Sequence, residues 1–423
     1  MVCHGLGELA QNSFRLMKII YIHQYFKTPQ EGGAIRSYYL ATGLVDKGFE
    51  AEMITAHNES TYQNVSIEGI NVHYVPVPYD NGMGFVKRIL AYLKFIRKSK
   101  KEIKKIKNAD LVYATSTPLT VGLIALWAKR KLKLPYYFEV RDLWPTAPIQ
   151  VGAVKGALFK KWLYRIEANI YKGAEKIIAL SPGMRDWIKE VVPDKEVYMI
   201  PNMADCVFFS KEIKDPKLVD FYRINQPFVI TYIGAIGTSN HLEYFLDIAQ
   251  EAANQQLYIN FKIVGAGSQA SQIKMLSYLK KLENVEFFPH LNKEGVKDIL
   301  NVSDATYVCF ANLPVLGTNS PNKLFDSLAS GKLTIVNTDG WTKALVDDNQ
   351  CGFYANPLKP EEFIEKIKPF IEQRELLETY KNNARATAEK YYSRTLQLEK
   401  LIKILNNEQQ IKVSDSEVYI LTA

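Results

Sequence analysis

No apolar run in this chain approaches the roughly 20 residues that a membrane-spanning helix requires. The longest candidate, Leu119–Ala128, reads as a buried helix. The four cysteines, Cys3, Cys206, Cys309 and Cys351, are scattered without metal-ligand spacing, which fits a reducing compartment and gives no metal site. RNA-binding motifs are missing, no hairpin dipeptide joins two expected strands directly, and residues 1–16 hold no signal-peptide core. Those first residues read as an extension or an alternative start. What is present is globular in character: 423 residues, 47% hydrophobic and 23% charged, suited to two domains that each bury a core. The formal charge of +8 is moderate and unevenly spread, so it argues for a local basic surface and against a nucleic-acid partner.

The apolar runs alternate with helical patterns. Lys18–His23 is an expected strand, followed by the loop Gln24–Gly33 and a helix from Ala34 to about Lys47, where Gly48 stops it. Strands follow near Ala51–Thr55, Val72–Val77, Asp110–Ala114, Tyr136–Val140 and Lys176–Leu180. A second series covers Phe228–Ile233, Tyr258–Val264, Val285–Phe287, Ala305–Phe310 and Leu333–Val336. Two βα series imply two Rossmann-like domains with parallel, doubly wound sheets. The junction is placed near Phe208–Lys217, giving domains at 17–207 and 208–391.

The stretch Thr318–Gly331, TNSPNKLFDSLASG, sits between two of these strands. Pro321 suits the first turn of a helix and Gly331 its stop. Asn322, Lys323 and Asp326 then fall in the first turn and a half, at the carboxyl edge of the sheet, where α/β folds bind nucleotides. A helix N-terminus beside a lysine is a phosphate cradle, and a carboxylate three residues on shares its face. The run P-N-K-L-F-D-S-L-A-S-G resembles the sugar-nucleotide signature of retaining glycosyltransferases of family 4, in the variant found among bacterial capsule and O-antigen enzymes. Ile200-Pro201-Asn202 resembles the tripeptide near that family's interdomain linker. The resemblance implies a GT-B architecture with two domains facing a central cleft, and Asp326, where glutamate is more usual, on the ribose. It also implies a last helix, 392–407, that crosses back to the first domain, leaving 408–423 as a tail.

Other segments take roles through the same resemblance. Gly32-Gly33, a pair that is also an ordinary turn, resembles the glycine loop set against donor phosphate and acceptor. Arg36 follows as either an anion ligand or a solvated charge. Arg141-Asp142-Leu143-Trp144-Pro145 closes a central strand; Asp142 is the candidate catalytic group, orienting the acceptor hydroxyl or stabilising an oxocarbenium-like charge. The alternative is a cap or an ion pair with Arg141. Gly234, Gly237 and Thr238 lie in a strand-to-helix turn placed to hold a diphosphate, although the family's arginine and lysine are replaced here by Ala235 and Asn240. Gly265 begins a second such turn, and His290 occupies the segment whose backbone reads the nucleobase, or simply packs. No D-x-D motif stands in a loop context, which disfavours a metal-dependent transferase of the other main fold.

Lys87–Lys107 carries ten Lys/Arg against the single Glu102, while Ile89, Leu90, Leu93, Ile96, Ile103 and Ile106 keep a helical stripe. This suggests an anionic membrane surface as partner; the plain alternative is a solvated helix with its stripe on the core. The combined expectation is a UDP-sugar donor with no cofactor and no metal, and a lipid-linked saccharide acceptor. The resemblance implies that the sugar is an N-acetylated hexosamine or deoxyhexosamine such as N-acetylfucosamine, and that the setting is the cytoplasm, peripheral to the inner face of the plasma membrane. A UDP-sugar 2-epimerase on the same architecture and a non-catalytic sugar-nucleotide-binding partner remain open.

Overall fold

The computed structural model describes residues 17–31, 35–80 and 82–408. Gly32 and Gly33 therefore lie outside the described residues. Two sheets account for the strands. The first orders β3-β4-β2-β1-β5-β6-β7-β8, with β1 Lys18–Ile22, β2 Glu50–His57, β3 Gln63–Ile67, β4 Ile70–Pro76, β5 Leu111–Thr115, β6 Tyr136–Val140, β7 Lys176–Ala179 and β8 Val197–Met199. The second orders β11-β10-β9-β12-β13-β14, with β9 Phe228–Ile233, β10 Ile259–Val264, β11 Val285–Phe288, β12 Ala305–Val308, β13 Leu333–Val336 and β14 Gly352–Tyr354. Apart from β3, every pairing is parallel. Strands such as LVYAT and LTIV are buried along their whole length, as parallel strands covered on both faces must be. Both domains are thus α/β and doubly wound, facing one another as in GT-B proteins.

Three strands escape the sequence pattern. β8 and β14 have only three residues each, too few for periodicity to show. β3 pairs antiparallel with β4, so the all-parallel expectation is corrected there. Their turn is Glu68-Gly69, both with positive φ, 47° and 80°, the geometry of a two-residue hairpin. Its strand QNVSI is almost wholly exposed, which suits a polar sheet edge.

Helices cover both faces of the first sheet. One face carries α2 (Phe85–Ile103), α3 (Thr120–Leu132) and α4 (Ala157–Gly173), whose apolar sides join the core around Phe95, Ile124 and Ile170. The other carries α1 (Arg36–Asp46) and, from the far end of the chain, α8 (Arg394–Leu405), through Leu40, Leu44, Leu401 and Ile404. On the second domain, α5 (Glu243–Asn254) packs in the core, while α6 (Lys293–Val302) and α7 (Asn322–Ala329) line the cavity between the domains. The domains also meet through the loop before α7. Its Val315 and Leu316 are buried in the first domain's core, the Ser181 hydroxyl donates to the Thr318 carbonyl at 2.5 Å, and the Asn202 amide donates to the Ser320 carbonyl at 2.6 Å.

Candidate active site

In the second sheet the strand order switches between β9 and β12, with β10 and β11 added on one side of β9 and β12 to β14 on the other. These strands pair over only Ala305 with Ile230 and Thr306 with Thr231. Beyond that they separate, opening the crevice in which α/β sheets receive ligands. Helix α7 begins here. Pro321 occupies the N-cap position without capping it, no side chain satisfies its first N–H groups, and no acidic residue occupies its first turn, so its positive end is free for an anion. Gly331, at φ 59°, ends it in the left-handed conformation that glycine adopts without strain. Leu324, Phe325, Leu328 and Ala329 anchor the helix in its core, which leaves Lys323 and Asp326 turned to the crevice.

These two charges have no salt-bridge partner among the described residues. The Lys323 ammonium donates to the Tyr232 hydroxyl at 2.9 Å and lies 4.1 Å above that ring's centre. Burial lowers its pKa to about 8. It occupies space beside the β9 loop: a β-carbon on Gly234 would sit 3.1 Å from the ammonium nitrogen. Gly234 therefore admits the lysine to a loop, residues 234–240, that carries no lysine or arginine of its own. The Asp326 carboxylate has no hydrogen-bond partner among the described residues, and burial pushes it up to about 7, with Lys293 pulling the other way. A small void of about 20 Å³ touches both Lys323 and Asp326.

Asp326 also opens onto a larger cavity of about 160 Å³ between the domains, along with Asn322 and His290. Its opposite wall comes from the first domain and the linker, through Ile35, Arg36, Tyr39 and Asp205. Here Asp205 gathers cations: it pairs with Lys293 and accepts from the Arg394 guanidinium at 2.9 Å. Lys293 further donates to the Tyr39 hydroxyl at 2.9 Å, and Arg394 stacks 4.0 Å from that ring's centre. The cavity thus presents one unpaired carboxylate, for hydroxyls to donate to, beside a cationic wall.

Arg36 corrects the sequence reading. It is neither an anion ligand nor solvated but buried, donating twice to Glu139 at 2.9 and 3.0 Å, to the Pro201 carbonyl at 2.5 Å and to the Ile200 carbonyl at 2.9 Å. Tyr113 and Thr115 hydroxyls complete the Glu139 shell at 2.7 and 2.8 Å. The network ties α1, β6 and the linker together. Arg141, two residues beyond Glu139, contacts the ring of His23 at 3.2 Å, and burial holds that histidine's pKa well below its usual value. Asp142 stands half-buried at the same edge. Among the described residues it makes no ion pair with Arg141 and accepts no side-chain hydrogen bond, and its pKa rises to about 6 by desolvation. It does not line the 160 Å³ cavity.

Two family models match the chain, the glycosyl transferase 4-like domain over residues 31–203 and glycosyl transferases group 1 over residues 215–387. The protein is a glycosyltransferase of the GT-B type. It is similar to an uncharacterized glycosyltransferase of Methanocaldococcus jannaschii, at 22% identity over 380 residues, 89% of this chain and 94% of the relative. It is also similar to WcaI of Escherichia coli, whose name assigns it provisionally to colanic acid biosynthesis, at 25% identity over 263 residues, 61% and 62% of the two chains. Among solved structures, sucrose-phosphate synthase of Thermosynechococcus elongatus superposes with a TM-score of 0.75 at 13% identity, over 92% of this chain and 98% of that one. Anabaena HepE in complex with UDP-glucose superposes with a TM-score of 0.69 at 16% identity, over 92% and 100%.

The remaining candidate residues of this glycosyltransferase lie on the loops after β9 and β10. Gly234, Gly237 and Thr238 lie on the loop after β9, but α5 opens only at Glu243, later than a tight phosphate turn would have it. Thr238 is exposed there, in contact with Gln269 at 3.5 Å. Gly265 serves the backbone, since a β-carbon on it would lie 1.9 Å from the Gly234 carbonyl oxygen; its bareness lets two strand-end loops pack together. Sequence reasoning missed Tyr39, Asp205, Tyr232, Lys293 and Arg394. For Lys293 a local signal existed, the Asn292 cap at the start of α6; the others meet only in three dimensions.

Proposed function

We propose that this glycosyltransferase moves an N-acetylated hexosamine or deoxyhexosamine from a UDP-sugar to a lipid-linked saccharide, with retention at the anomeric carbon, in bacterial surface polysaccharide assembly. It works without a cofactor, at the cytoplasmic face of the plasma membrane. The observation that carries the reading is the unpaired pair on α7: a carboxylate and an ammonium one turn apart, at an uncapped helix N-terminus, in the crevice of the second sheet. Ribose hydroxyls donate to ionised Asp326. The diphosphate meets Lys323 and the first N–H groups of α7, which stabilise the negative charge that grows on the departing UDP. That HepE was solved with UDP-glucose supports this class of donor, and the name of WcaI supports the polysaccharide setting.

Asp142 approaches from the other domain. With a pKa near 6 it is ionised at neutral pH, able to orient an acceptor hydroxyl and to stabilise positive charge on the sugar ring. The test is Asp142→Asn with a UDP-sugar and a lipid-linked acceptor. UDP affinity stays at the wild-type level while most turnover is lost; near-normal turnover removes Asp142 from the mechanism. Donor turnover without acceptor identifies an epimerase, and UDP binding with neither transfer nor hydrolysis identifies a non-catalytic partner.

A further inference from the structure

Helix α2 does not bury all of its apolar stripe. Ala91, Tyr92, Phe95 and Ile103 face the core, but Leu90 and Leu93, which the sequence pattern places with them, point outward. With Val86 they are 68%, 59% and 56% exposed in the order Val86, Leu90, Leu93. Their spacing of four and three residues puts them on one face over two turns. Arg97, Lys101 and Lys104 continue that face along the helix and are exposed too. A solvated helix has no use for three open aliphatic side chains in a row.

A second helix repeats the arrangement. On α4, Leu158 is 86% and Trp162 54% exposed, one turn apart, with Phe159 stacked on Trp162 at 5.6 Å. Lys155, Lys161 and Arg165 surround them and are exposed, while the one acidic residue of α4, Glu167, is buried. The two helices lie on the same face of the first sheet, on either side of α3. Both begin at the carboxyl edges of parallel strands, so both apolar ends face the cleft side of the domain. Between them stands Trp127 of α3, with the ammonium groups of Lys100 and Lys104 at 5.4 and 5.8 Å from its ring.

We infer that the N-terminal ends of α2 and α4 form one membrane-inserting surface, with Val86, Leu90, Leu93, Leu158 and Trp162 entering an anionic phospholipid bilayer. The charge pattern selects this occupant. Aliphatic residues and a tryptophan ringed by lysine and arginine, with the acidic residues of both helices buried, match the boundary between acyl chains and anionic headgroups. The inference deepens the peripheral membrane reading, on which it rests, by replacing attraction of a basic helix with insertion of two. It also fixes an orientation: the cleft edge of the first domain lies against the lipid.

The test uses the full chain with vesicles of phosphatidylglycerol and phosphatidylcholine or of phosphatidylcholine alone. Wild type cosediments with the mixed vesicles at low salt and keeps part of that binding at about 0.5 M NaCl, because buried apolar area is not screened while exposed charge is. Leu90→Ser/Leu93→Ser and Leu158→Ser/Trp162→Ser each weaken binding about tenfold or more, with UDP affinity unchanged. Brominated lipid quenches tryptophan fluorescence in wild type and much less in Trp162→Phe. If salt abolishes all binding and both serine pairs bind as wild type does, insertion is wrong and electrostatic docking stands. If wild type binds no vesicles, both readings fall, and a dimer broken by the serine pairs would identify a second copy as the true occupant.

Discussion

The two sheet edges that face the cleft treat buried charge in opposite ways. On the first domain, Arg36 and Glu139 satisfy one another and draw in two carbonyls and two hydroxyls. On the second, Lys323 and Asp326 are partly buried without an ion-pair partner among the described residues, and their pKa values move toward neutrality, to about 8 and about 7. A charge that is fully paired has nothing left to offer a ligand and serves the architecture. One that is desolvated and unpaired carries an energetic cost that a ligand of opposite polarity removes.

The sharpest way to break this contrast is to remove Arg36. Arg36→Ala strands Glu139 in the interior, and such uncompensated charges cost about 3–5 kcal/mol; the first unfolding transition in urea should shift accordingly, while Arg36→Met/Glu139→Leu recovers much of the loss. On the other edge the expectation reverses. Lys323→Ala weakens UDP binding roughly 10- to 100-fold, the size of a charge-assisted hydrogen bond of about 1.5–3 kcal/mol, and leaves the urea transition of the free protein in place or higher. Calorimetric titration with UDP measures the first effect, and an unchanged affinity would take Lys323 out of the donor site.

A finer difference appears with pH. Asp326 has its pKa raised from 3.8 to about 7 in the folded chain, so between those values the native state holds a proton that the unfolded chain has released. Stability of the free protein therefore falls as pH rises through this window. Asp326→Asn should flatten that part of the profile relative to wild type, and parallel slopes in the two proteins would show that Asp326 is not desolvated. The smallest effect concerns the ligand. UDP affinity rises as Asp326 ionises near pH 7 and declines above about 8 as Lys323 loses its proton, giving a narrow optimum that Lys323→Ala converts to a plateau on the alkaline side.

Long buried strands were open to sequence reading because a parallel strand covered on both faces is apolar throughout; Tyr136–Val140, Phe228–Ile233 and Leu333–Val336 match to the residue. Helix α7 was legible for a different reason, since Pro321 and Gly331 mark its ends chemically. The hairpin at Glu68-Gly69 was not, because a polar edge strand carries no apolar signal. Within the site, Asn322, Lys323 and Asp326 share one short helix, so spacing alone brings them together. Asp205, Lys293 and Arg394 converge on Tyr39 from separate parts of the chain, and no local pattern foretells it. Arg36 shows the converse limit: an arginine at a helix start beside a glycine loop looks the same in sequence whether it awaits an anion or already holds a glutamate 103 positions away.

The loop before α7 gives the molecule a fulcrum. Val315 and Leu316 are sunk in the first domain while Thr318 and Ser320 are bonded to Ser181 and Asn202, so a rocking of one domain against the other that kept these contacts would turn only a few residues from Lys323. Displacement grows with distance from a fulcrum, so in such a rocking the start of α7, where the diphosphate is proposed to sit, would move least and the outer rim of the cleft most.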